Sequence, residues 1–222
     1  NYNYELNDVS TLAHEMGHSI HSYYSRKHQP FIYADYTLFC AEVASTTNEA
    51  LLIHHLIEKE TNEKKKLYLI NQELEQIRTT VFRQLMFAEF ELISHETIEE
   101  GKPLTAEEYC KIWHDLNVKY FGPNMVVDKE IDMEWSRIPH FYSDFYVYQY
   151  ATGYAAASSF ARAILEEGEA AVERYKGFLK AGGSDYPINI LKKAGVDMTT
   201  PKPLEDTIKR FSELLDMMEN HC

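Results

Sequence analysis

The residues best equipped for chemistry lie close together near the start of the chain, in His14-Glu15-Met16-Gly17-His18. Two histidines four apart stack one above the other on a single helix face. Both imidazoles can then reach one Zn²⁺ at roughly 2.0–2.1 Å. Glu15 projects about 100° round the axis from His14, beside the metal, where a carboxylate can take a proton from a zinc-bound water. With 10 histidines in 222 residues, this pattern arises by chance in roughly one such chain in twenty, so its surroundings must decide.

A catalytic zinc site needs a third protein ligand. His21 is close in azimuth to the pair but lies about 10.5 Å along the axis from His14, too far to share one ion. It reads as a residue behind the ligands or on the surface. The extended H-E-x-x-H-x-x-G-x-x-H pattern requires Gly at 21 and His at 24, where this chain has His21 and Tyr24. An acid from a neighbouring helix remains. Glu42 and Glu49 share one helix face with Thr46, and the residues alone do not choose between them. Whichever is not a ligand can hold a ligand histidine by its other nitrogen.

The elements that must position these groups are all helical by pattern. A first helix is expected from Asp8 as N-cap, with Val9, Leu12, Ala13, Met16, Ile20 and Tyr23–Tyr24 as an apolar stripe turned away from the histidines. Pro30 marks a loop, and a second helix is expected from about Tyr36–Leu38 through Lys59. The series Leu67, Ile70, Leu74, Ile77, Val81, Leu85, Ala88, Leu92 predicts a third from Asn62 to Glu100. Unbroken it would span about 57 Å, so a bend or break is expected.

Thr105 and Glu108 form a capping box for a helix with Tyr109, Ile112, Trp113, Leu116 and Tyr120 inside. After an irregular Gly122–Pro139, an aromatic segment Phe141–Tyr154 passes into an Ala-rich helix to about Glu167. Helices over Glu169–Ala181, Ile188–Ala194 and from Leu204 complete one all-α domain, with Gly182-Gly183-Ser184-Asp185 as a turn.

A formal charge of −13 argues against a nucleic-acid binder, which needs a basic surface, and permits a mild preference for cationic peptides. Cys40, Cys110 and Cys222 are few, odd in number and widely spaced, which suits free thiols in a reducing cytoplasm. No apolar run is long enough to span a membrane. The chain opens at Asn1, and a cut within a longer protein is expected.

NDVSTLAHEMGHSIHS, then CAEVASTTNEALL, RIPHFYSDFYVYQYATGYAAA and LKAGGSDYPINILKKAGVDM resemble oligoendopeptidase F and its relatives among the thimet-oligopeptidase-like zinc metallopeptidases. The resemblance runs along essentially the whole chain. It implies a zincin-like domain, residues 1–222, forming the C-terminal catalytic part of a longer peptidase. It implies His14, His18 and Glu42 as zinc ligands, Glu15 as general base and Glu49 behind the ligands. It also implies that an N-terminal half of the same polypeptide forms the other wall of a substrate channel.

His140, Tyr142, Tyr146, Tyr148, Tyr150 and Tyr154 crowd fifteen residues. Most suit an aromatic core stripe, yet His and Tyr also donate to oxyanions, and Tyr146, Tyr150 and Tyr154 share a face if the segment is helical. The resemblance implies that a histidine and tyrosines of this region bind substrate; His140, Tyr150 and Tyr154 are the matching positions.

The expected activity is zinc-dependent endopeptidase cleavage of short oligopeptides, with Glu15 activating the attacking water. Two rivals stand beside it. A non-catalytic helical module would bind peptides or a partner without turnover. A zinc carboxypeptidase would need an arginine to capture a terminal carboxylate, a role that the sequence assigns to neither Arg137 nor Arg162.

Overall fold

The computed structural model describes residues 2–220, and every regular element among them is helical. Helix α1 spans Leu6–His28, α2 Phe31–Ala34, α3 Leu38–Lys59 and α4 Glu63–Ile77. A π turn at Arg78–Phe82 leads into α5, Arg83–Glu99, followed by α6, Ala106–Phe121. Two 3-10 stretches, Lys129–Arg137 and Pro139–Tyr142, precede α7, Tyr148–Glu167. Helices α8 (Glu169–Ala181), α9 (Pro187–Lys193) and α10 (Lys202–Glu219) follow. Cys222 lies outside the described residues; Cys40 and Cys110 are free thiols.

The local signals behave as their chemistry dictates, with two adjustments. Thr37 caps α3 and the Thr105–Glu108 box caps α6. The cap of α1 is Glu5, one turn earlier than expected, and Asp8 closes a capping box from inside the helix by accepting the Glu5 N–H at 3.2 Å. The long third helical run continues without a loop from Glu63 to Glu99, its α ladder interrupted by the π turn at Arg78–Phe82.

The chain forms two compact units, one from Asn1–Ile77 with Thr152–Cys222, the other from Arg78–Ala151. In the first, Cys40, Val43 and Ala44 of α3 pack with Ala156, Ala157 and Phe160 of α7 and with Phe178, Ile190 and Leu191. In the second, Met86, Phe87 and Phe90 of α5 enclose Trp113 and Leu116 of α6, with Ile138 and Val147 closing the cluster.

Helix α1 departs from the amphipathic expectation. Its buried residues are Gly17, His21 and Ser25, on the histidine side. Of the apolar stripe on the other face, Leu12, Met16, Ile20 and Tyr23 are 54%, 48%, 38% and 59% exposed, while Val9, Ala13 and Tyr24 are half-buried. The reason is steric. α1 and α3 run antiparallel at such close range that a Cβ on Gly17 would stand 2.6 Å from Ser45 Cα. Only small residues fit that seam, and Leu or Met would hold the helices apart.

The connector between α1 and α3 is clasped by a distant turn. Gly183 donates its N–H to Tyr33 O at 2.9 Å, and the Gln29 amide donates to Lys180 O at 2.8 Å. Gly182 has φ +54°, and a Cβ there would sit 2.2 Å from Tyr33 O, so glycine is required on both counts.

Candidate metal centre

His14 and His18 sit one turn apart on α1, with ring Nε2 atoms 3.1 Å from each other. Glu42 on α3 brings Oε2 to 3.5 Å from His14 Nε2. Among the described residues these three form a group whose ligand atoms all lie within 4.8 Å of one another. Four ligands at about 2.0–2.1 Å in a tetrahedron stand about 3.3 Å apart, so the two measured edges suit an ion of zinc's size.

The opposite nitrogen of His14 is held as well. Nδ1 lies 2.7 Å from Glu49 Oε1, so the ring carries its proton there, donates it to the carboxylate and leaves Nε2 with a bare lone pair. The same Glu49 accepts from the Ser10 hydroxyl at 2.7 Å through Oε2. The Glu49 hydrogen bond raises the His14 pKa, against desolvation and with help from the charges of Glu49, Glu42 and Glu15. Two ring nitrogens at 3.1 Å need a shared proton or a shared cation between them, and a dication meets that need together with the nearby carboxylate.

Glu15 projects into the open, exposed and clear of the seam. His21 is not at the surface. It is 1% exposed, stacked on Tyr36 at 3.6 Å and 4°, with Phe178 at 5.1 Å. Burial, then the neighbouring His18, pushes its pKa down to about 4, and its Nδ1 has no partner. Tyr36, bonded to Ser22 at 2.7 Å, thus backs the ligand helix.

Three residues that sequence reasoning passed over support the site. Ser10 anchors Glu49, Asn48 donates to Ala13 O at 2.5 Å across the two helices, and Gly17 permits their approach. Ser10 stands i−4 from His14, and Gly17 is a glycine inside a strong helical pattern; both were readable signals.

In the second unit, the Tyr150 hydroxyl lies 3.5 Å from His140 Nε2, and the His140 and Tyr146 rings stack at 5.9 Å. Tyr146 precedes α7, so the three tyrosines do not continue one helix face. Tyr154 is 7% exposed, in the first unit, beside the buried Glu73–Arg210 pair. Burial foremost, then the Glu73 charge, holds its phenol far above the usual tyrosine range. Arg162 is engaged by Glu166 at 2.9 Å and Glu213 at 3.2 Å, and Arg137 by Glu134.

A model of peptidase family M3 matches residues 1–210. The chain belongs to peptidase family M3. Among family M3 relatives, oligopeptidase PepF of Bacillus subtilis is 59% identical over 219 residues, 99% of this chain and 33% of that protein. Chromosomal oligoendopeptidase F of Lactococcus lactis subsp. cremoris is 45% identical over 99% of this chain and 36% of its own length. The crystal structure of oligoendopeptidase-F from Enterococcus faecium superposes with TM-score 0.88 at 46% identity, over 97% of this chain and 39% of that one. This M3 chain therefore spans about a third of the length of the curated relatives it matches.

Proposed function

We propose that this chain carries the catalytic centre of a zinc-dependent oligoendopeptidase. The observation that carries the reading is the convergence of His14 Nε2, His18 Nε2 and Glu42 Oε2, with Glu49 fixing the His14 tautomer. When bound, Zn²⁺ supplies Lewis acidity toward a peptide carbonyl and makes a water acidic near neutral pH.

The chain's own residues do the rest. Glu15 accepts the proton of the attacking water and carries it to the leaving amide nitrogen. Glu49 holds the imidazole of His14 in the tautomer that leaves Nε2 free. His140 and Tyr150 supply donors for the oxygen that gains negative charge, each contributing about 3 kcal/mol. Tyr150 suits that role better than Tyr154, whose hydroxyl is enclosed beside Glu73 and Arg210.

The substrates are short peptides, and the remaining two-thirds of a longer polypeptide, an N-terminal half among them, covers the apolar stripe of α1. Exposure of Leu12, Met16, Ile20 and Tyr23 along one helix supports that packing. The cytoplasm suits the two free thiols, and no described helix is long and apolar enough to cross a membrane. Engagement of Arg137 and Arg162 by glutamates disfavours the carboxypeptidase reading. The general base disfavours a binding module.

The test is Glu15→Gln in the full natural polypeptide. Elemental analysis should find about one zinc per chain in parent and variant alike, with peptide turnover lost in the variant. Substantial residual turnover, or no zinc in the metal-replete parent, sinks the assignment.

A further inference from the structure

Among the described residues three side-chain carboxylates are deeply buried, and they are not treated alike. Glu73 is 5% exposed and pairs with Arg210 at 2.6 and 2.7 Å. Glu134 is 9% exposed and pairs with Arg83 at 2.5 Å and with Arg137. Glu91 is 4% exposed, and among the described residues it accepts one hydrogen bond, from the Phe145 N–H to Oε1 at 2.8 Å. Among the described residues it forms no ion pair, and the one basic side chain lining the same cavity is the imidazole of His95, four residues on along α5. A buried carboxylate without a counter-charge is costly, and a ligand that brings one recovers that cost.

Glu91 lines a cavity of about 400 Å³ within the second unit, and no Lys or Arg borders it. Tyr109 and Trp135 form one wall, stacked at 4.8 Å and 29°. Phe90 and Phe141 form another, with ring centroids 5.2 Å apart and Phe90 6.2 Å from Trp135. The faces of such rings attract cations. Glu99 stands at the rim, eight residues beyond Glu91 on the same face of α5, and adds a second negative charge. A volume of this size holds a long side chain, and the four rings can pack along a methylene stem.

The cavity also adjoins the segment expected to meet substrate. Phe141 and Tyr142 line it from the 3-10 turn that carries His140, where neighbouring residues rise only about 2 Å apart. We propose that this cavity is a subsite for a basic peptide side chain, Arg or Lys, with its stem among Phe90, Tyr109, Trp135 and Phe141 and its charged head on Glu91. The assignment to a peptide rests on the peptidase reading above; the affinity for a cation on an apolar stem does not.

Two measurements on the full natural polypeptide separate those parts. The first uses agmatine, a four-carbon stem with a guanidinium at one end and an ammonium at the other, titrated against tryptophan fluorescence with Trp135 as reporter. Saturable perturbation is expected, lost in Trp135→Phe and weakened about tenfold in Glu91→Gln, which keeps an acceptor for Phe145 N–H. Glu99→Gln, at an exposed position, should weaken it about twofold and serves if the Glu91 variant fails to fold. The second uses a neutral peptide in which one Arg, or its uncharged analogue citrulline, is moved along the sequence.

At one position Arg should raise kcat/KM about tenfold over citrulline, and Glu91→Gln should reduce that ratio to near 1. Agmatine binding without hydrolysis of any peptide would support the cation pocket and remove the peptidase. Hydrolysis with no Arg preference and no agmatine response would overturn the pocket and leave the peptidase standing.

Discussion

Gly17 is the position where the smallest perturbation should have the largest effect on the candidate metal centre. A Cβ added there would stand 2.6 Å from Ser45 Cα, 3.1 Å from Ala44 O and 3.2 Å from Ser45 N, all backbone of α3. Carbon atoms rest at about 3.5–4.0 Å, so α1 and α3 must part by about 1 Å in Gly17→Ala. His14 and His18 ride on one of these helices and Glu42 and Glu49 on the other. The ligand edge of 3.5 Å and the Glu49 hydrogen bond of 2.7 Å both cross the widened gap.

Overpacking costs about 1–3 kcal/mol, while alanine regains about 1 kcal/mol of helix propensity, so net stability moves by only about 0–2 kcal/mol. Metal affinity is the sensitive readout, with a loss of about 10–100-fold expected from a displaced first or supporting partner, and turnover at saturating zinc should fall about 100-fold. Competition with a chromogenic chelator measures the first and peptide hydrolysis the second. Gly177 of α8, where a Cβ would meet nothing within 4 Å, is the control: Gly177→Ala should bind zinc like the parent and be slightly more stable. A Gly17→Ala protein with zinc affinity within about twofold of the parent and full turnover would refute the close-seam argument.

Other consequences can be measured separately. Glu49→Gln should weaken zinc binding about 10–100-fold, seen in the same chelator competition, because the His14 ring loses its charged anchor. His21, with its pKa pushed down to about 4, is neutral when folded, whereas the unfolded chain takes up a proton below about 6.5. Stability from this group is complete above pH 6.5 and is lost as pH falls toward 4, by up to about 3 kcal/mol. His21→Phe should flatten that part of a urea-denaturation pH profile. Arg210→Met leaves the buried Glu73 carboxylate unpaired and should cost about 3–5 kcal/mol by the same denaturation assay. Tyr150→Phe should lower kcat by about 10²–10³-fold with little change in KM, and Tyr154→Phe by clearly less.

Helix positions were legible where a cap or a sustained period speaks locally. The Thr105–Glu108 box and the run from Leu67 to Leu92 are examples, and the expected interruption of that run falls at Arg78–Phe82. That His14 and His18 share one helix face, and Glu42 and Glu49 another, was legible because i, i+4 and i, i+7 spacings fix faces locally, whereas the choice of Glu42 rested on the family resemblance. The buried face of α1 was not. Periodicity ranks faces by hydrophobicity, whereas this helix is oriented by the narrow seam at Gly17 and by the stacking of His21 on Tyr36. Both depend on what α3 and its connector present in space. The lone carboxylate of Glu91 was equally invisible, since its distinction is a missing partner.

The clasp of Gly182-Gly183 on the α1–α3 connector has a bearing on how this protein could be divided. All candidate ligands and the proposed general base fall within the first 49 residues, which invites their excision as a minimal metal-binding peptide. Yet the turn between those two helices is latched by backbone from residues 180–183, and Phe178 closes over His21 from the same stretch. A helical hairpin cut free of that latch loses the constraint that sets its crossing. Zinc affinity should therefore reappear only on adding back the complementary fragment, so that the metal itself becomes a sensor of whether the two ends of the chain have met.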